Sequence, residues 1–164
     1  MREAIGGAWL LGIAVTIIAL FTAYLAFSVN YAKAFKVKDG IVERIEKYEG
    51  FDVNNNKEMS EIRQFLNMIS YGANGKCNEK IGFNSDSNFY GVNGSVYAHK
   101  DKNKRYNYCV ERVAKQVQTG DYSSAYYKVT VFYGLSLGFV DLNSIFFVTG
   151  ETKTIYYPVD QGSW

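Results

Sequence analysis

Proline occurs once, histidine once and cysteine twice in 164 residues. So few Cys and His exclude a zinc cluster built from them, and two cysteines exclude a disulfide-dense mini-fold. A single proline excludes a collagen-like chain. A large charge of one sign is missing too: 18 basic against 16 acidic residues leave a formal +2. That balance excludes a polyanion-binding tail or an acidic solvating chain as the main theme. The deepest absence is local. Residues 4–32 carry no charged side chain, whereas residues 33–164 hold 17 of the basic and 15 of the acidic residues. The mean hydropathy of −0.17 therefore averages two unlike parts. The length suits one domain with an appended segment.

A bilayer core of about 30 Å needs about 20 helical residues, so the uncharged run of 29 is long enough to span it. Residues 8–21, Ala-Trp-Leu-Leu-Gly-Ile-Ala-Val-Thr-Ile-Ile-Ala-Leu-Phe, contain no proline. In lipid a backbone has no partner but itself, so helix is the expected form. A cleaved signal peptide is the second reading, with Ala32 and Ala34 as a small-x-small site. The run is about twice the usual 7–15 residues, however, and Arg2 alone is a thin basic region. Retention is the expectation. Small residues recur at Ala4, Ala8, Gly12 and Thr16, and again at Ala19 and Ala23. This stripe reads either as ordinary membrane-helix composition or as a seam that admits another helix backbone.

Helical spacing continues past Ala32. Phe35 (or Val37), Ile41, Ile45 and Tyr48 recur among Lys36, Glu43, Arg44, Glu46 and Lys47, which is the pattern of an amphipathic helix. Gly40 weakens the middle by about 1 kcal/mol, and Gly50 is a suitable stop. The expected organisation is a transmembrane half at 1–32, an amphipathic continuation at 33–50 and an α+β domain at 51–164. The domain begins with a turn at 51–56 and a short amphipathic helix at 58–69, with Met59, Ile62, Phe65, Leu66 and Ile69 on one face. Residues 70–105 are rich in Asn, Gly and Ser, with one possible short strand at 95–99, and so long an irregular stretch is usually a constrained or working loop. Strand-like runs follow at 107–117, 125–133, 144–148 and 153–157, with Thr149-Gly150-Glu151 read as a turn. In the second of these Tyr127, Val129, Val131 and Tyr133 alternate with Tyr126, Lys128, Thr130 and Phe132. No helical run separates the strands, so an antiparallel sheet is expected rather than a βαβ array.

Few constellations carry chemistry. Cys77 and Cys109 form no CxxC; in an extracytoplasmic domain they read as a disulfide that fastens the loose segment, and in a cytoplasmic one as two buried thiols. The bridge is the preferred reading. His99 has no nucleophile motif beside it and reads as a solvated loop residue. Asp52, Asn54 and Asn56 copy the start of a calcium loop, but Lys57 and Arg63 stand where Gly and Glu are needed. Residues 84–88, Asn-Ser-Asp-Ser-Asn, and the basic stretch 100–105 read as polar loops. No phosphate loop is present. The expectation is a non-enzyme with no metal, no cofactor and no nucleic-acid partner. The 14 Tyr and 11 Phe are accounted for by strands and core packing.

A short polar N-terminus with Glu3, a bare apolar helix, an amphipathic continuation and an antiparallel sheet with a late cysteine pair: this order resembles the type IV pilin and pseudopilin superfamily. Within it, residues 26–42, Ala-Phe-Ser-Val-Asn-Tyr-Ala-Lys-Ala-Phe-Lys-Val-Lys-Asp-Gly-Ile-Val, are similar to the TadE-like minor-pilin branch. The resemblance implies a pilin-like α+β fold and a structural subunit of a surface filament or of its secretion machine. It implies packing through the N-terminal helix, at Glu3, Ala8, Gly12, Thr16, Ala19 and Ala23, against other copies or related subunits. In that family the acid stands at the fifth mature position and neutralises a neighbour's terminal amine; Glu3 is third counted from Met1. The alternative reading is a single-pass anchored ligand-binding or adhesin domain whose 70–105 loop recognises a ligand. A tethered hydrolase would need a catalytic cluster that one histidine and scattered acids do not form. Lys33, Lys36 and Lys38 follow the apolar run and alone would place the domain in the cytoplasm. The cysteine pair and the pilin-like order place it outside, and outside is the reading adopted.

Overall fold

A computed structural model describes residues 2–83, 87–119, 122–134 and 146–158. Helix α1 (Arg2–Lys47) is a single unbroken element of 46 residues, about 69 Å long at 1.5 Å per residue. No proline interrupts its hydrogen-bond ladder. It ends where the Gly50 amide donates to the Ile45 carbonyl at 3.0 Å, a bond that satisfies one of the last orphan carbonyls. Helix α2 (Asn56–Met68) starts at Asn55, whose side-chain oxygen accepts from the Lys57 and Glu58 amides. It runs back along α1, with Lys47 and Tyr48 held by Glu61 at one end and Gly40 against Phe65 further along.

Six strands follow: β1 (Asn88–Asn93), β2 (Val96–His99), β3 (Tyr108–Thr119), β4 (Tyr122–Tyr133), β5 (Phe146–Glu151) and β6 (Ile155–Pro158). All pairings are antiparallel, in the order β2-β1-β3-β4-β5, and β6 pairs with the other end of β4. The chain is thus α+β. The alternation in β4 separates two cores. Tyr127, Val129, Val131 and Tyr133 join Tyr108, Val110, Val92 and Val148 against Ala34, Val37, Ile41 and Ile45 of α1. On the opposite face Phe132 packs with Phe89, Cys109, Phe83, Tyr106 and Cys77. Cys77 and Cys109 are joined by a disulfide, their Cα atoms 6.1 Å apart. Gly75 and Tyr106 exchange two backbone hydrogen bonds beside it, at 2.8 and 2.7 Å.

Three expectations change. Residues 149–151 are not a turn but the end of β5, paired with 128–130 of β4. Gly150 lies there because the Lys38 side chain occupies the place of a β-carbon; close approach, not a turn, explains the glycine. Val37, not Phe35, faces the sheet; Phe35 stays outside, its ring 5.2 Å from that of Tyr31 and 4.2 Å from the Lys38 ammonium. The 70–105 stretch is less irregular than its composition suggests, because β1 and β2 form a hairpin through Gly94, whose φ of 58° suits glycine.

Candidate functional site: the uncovered half of the long helix and its junction with the sheet

Among the described residues, none of the domain covers the lower half of α1. Trp9, Leu10, Phe21 and Tyr24 are 73%, 71%, 66% and 68% exposed. The apolar part is long enough to cross a membrane, and none of it is buried in the protein, unlike the core helix of a water-soluble fold. Such a helix serves as a single-pass anchor or as a signal sequence. A disulfide in the attached domain goes with an extracytoplasmic setting. The two threonine hydroxyls within the helix are satisfied internally: Thr16 donates to the Gly12 carbonyl at 2.9 Å and Thr22 to the Ala19 carbonyl at 2.9 Å. In hydrocarbon an unsatisfied hydroxyl would cost several kcal/mol.

Ala8, Gly12 and Thr16 form the floor of a shallow groove walled by Trp9, Ile13 and Ile17. A β-carbon at Gly12 would meet no atom within 4 Å, so the groove is open. At 3.6 residues per turn, Ala8, Gly12, Thr16, Ala19 and Ala23 fall on the same arc of about 100° as Ala34, Val37, Ile41 and Ile45. The stripe below and the sheet-facing seam above are therefore one face of one helix. Glu3 lies in the first turn of α1, and its side chain falls outside the described residues, as do residues 84–86 of the polar loop.

Contact with the sheet begins at Phe27. Its ring is 5.7 Å from Tyr133 and 5.3 Å from Phe146, and Tyr133 and Phe146 stack at 5.4 Å. Tyr31 meets Tyr133 edge-on at 5.7 Å. Between them the Asn30 amide donates to the Gly134 carbonyl at 2.9 Å. Were residues 7–26 to fill about 30 Å of hydrocarbon, this aromatic collar would fall at the headgroup level, where aromatic rings are enriched. Sequence reasoning missed the collar, although Phe27 and Tyr31, one turn apart and just ahead of Lys33, were its signal.

The other candidates are scattered. His99 contacts the Asn88 side chain at 2.5 Å and lies on Tyr90. The Asp52 carboxylate accepts from the Asn54 amide at 2.8 Å and Asn55 caps α2, so this segment forms a turn and a cap. Among the described residues no group of three His, Cys, Asp or Glu is arranged to hold a metal. One buried charge went unread: Glu58, 1% exposed at the start of α2. Burial pushes its carboxyl up to about 7, against the single hydrogen bond from the Asp52 amide, and the Asp52 charge adds to the rise. Compared with protein-family models, with curated proteins and with solved structures, the chain matches none.

Proposed function

We propose that the chain is a non-enzymatic structural subunit of a pilin-like filament or of its secretion machine, inserted in the membrane by α1 and packed through it, with the disulfide-bonded domain outside the cytoplasm. The observation that carries this reading is the shared face of α1. The small-residue stripe lies in line with the seam that holds the sheet. A second helix that docks on Ala8, Gly12 and Thr16 then sits directly below the sheet, offset along the axis. Leaving lipid for that groove retains a dry apolar contact for both helices, which is how helices associate in membranes.

A cysteine at position 12 in the reconstituted full chain tests this. Gly12→Cys should give cross-linked dimers, whereas Ile18→Cys, 63% exposed on the opposite face, should not. Equal cross-linking from both positions, or none from either, counts against packing through the stripe. The alternative, an anchored ligand-binding or adhesin domain, draws on the free edge strand β2, where Val96 and Tyr97 are exposed.

A further inference from the structure

A cavity of about 220 Å³ opens at the junction, lined by Asn30 and Lys33 of α1, Ser70 and Tyr71 beyond α2, and Tyr133 and Gly134 at the end of β4. Its depth relative to the bilayer follows from α1. If residues 7–26 fill the hydrocarbon, Asn30 and Lys33 stand about 6 and 10 Å above its edge, within or just above the headgroup layer. Among the described residues no carboxylate lines the cavity and none lies within 4 Å of the Lys33 ammonium. Lys33 is also the first charged residue after the uncharged run. Asn30 uses one amide hydrogen on Gly134, and Ser70 lines the same cavity. The Tyr71 hydroxyl is buried with no partner among the described residues. The volume exceeds by several fold the roughly 30 Å³ of one water molecule. The collar of Phe27, Tyr133 and Phe146 supplies an apolar wall beside it.

We propose that this cavity takes the phosphate of a membrane phospholipid, with Lys33 as its countercharge, Asn30 and Ser70 as neutral donors, and the collar against the first part of the acyl chains. The site fixes how deep the domain sits on the bilayer. It rests on the reading of α1 as a membrane-spanning helix, but fails separately from it.

The test is native mass spectrometry of the full chain in detergent with added dioleoylphosphatidylglycerol. The wild type should retain a bound phospholipid, and Lys33→Gln should retain about 5-fold less, as expected for one lysine near a lipid surface. Lys33→Arg should restore retention, and Lys36→Gln, exposed but outside the cavity, should leave it unchanged. Dioleoylglycerol, which lacks the phosphate, should not be retained. Equal retention by Lys33→Gln, or of dioleoylglycerol, overturns the proposal. Displacement of the lipid by millimolar glycerol 3-phosphate or inorganic phosphate would reassign the cavity to a soluble phosphate, and also overturns it. Carbonate extraction of membranes separates the two failures: a chain that stays in the pellet yet binds no lipid loses only this site, and a chain that is extracted loses the anchor.

Discussion

Gly40 of α1 lies so close to the ring of Phe65 in α2 that a β-carbon at position 40 would clash with the edge of the ring. The glycine lets the two helices approach, while the Arg44 guanidinium covers the same ring from 4.2 Å. Alanine is the better helix former by about 1 kcal/mol, yet overpacking costs about 1–3 kcal/mol. Gly40→Ala should therefore destabilise the domain by about 1 kcal/mol in thermal or denaturant unfolding. Where Phe65→Ala has already removed the ring, the same change should turn neutral or stabilising.

The Cys77–Cys109 bridge spans 32 positions and lies in the smaller core with Phe83, Phe89 and Phe132. Replacing both cysteines by serine should cost about 2–5 kcal/mol. Limited proteolysis should then cut first within residues 70–105, the stretch that the bridge fastens. Unchanged stability and unchanged cleavage would leave the bridge without a structural role.

Glu58 sets a pH dependence of definite sign. Its folded-state carboxyl is raised from 4.5 to about 7 by burial, so folding is favoured while the group is protonated in both states, below about 4.5. As pH rises from there to 7 the unfolded chain ionises first, and stability is lost, on the order of 3 kcal/mol in full. Glu61 and Asp101 act in the other direction: hydrogen bonds, from Lys47 and Tyr48 and from the Asn103 amide respectively, hold their carboxyls below the usual range. The difference between wild type and Glu58→Gln isolates the one group. Glu58→Gln should gain stability over wild type at pH 8 and not at pH 4, as read from unfolding midpoints.

Much of this architecture was legible because it follows from period and polarity. The uncharged run, the stripe, and the alternation of Tyr127, Val129 and Val131 with Lys128 and Thr130 need no tertiary knowledge. What misled is residues whose role is set by a distant partner. Gly150 resembles a turn residue until Lys38 is seen beside it, and Phe35 resembles a core residue until Val37 takes the buried position. Glu58 carries no local mark of burial, since only the packing of α2 buries it. The hairpin from β1 to β2 did have a local signal, Asn93-Gly94, hidden in a stretch rich in the same residues. The junction cavity is assembled from residues 30, 33, 70, 71, 133 and 134. Their separation along the chain left it invisible to any local pattern.

The central claim is that the uncovered half of α1 is a packing surface rather than a greasy tether. Replacing residues 7–26 by polyleucine keeps the length and apolarity of the span and leaves the collar at Phe27 and Tyr31 in place, but fills the groove over Ala8, Gly12 and Thr16. Membrane retention and chemical cross-linking of the full chain in its membrane, measured side by side, decide the matter. The expected result is full retention with loss of the cross-linked oligomers that the wild type should give. A polyleucine chain that assembles as the wild type does would contradict it.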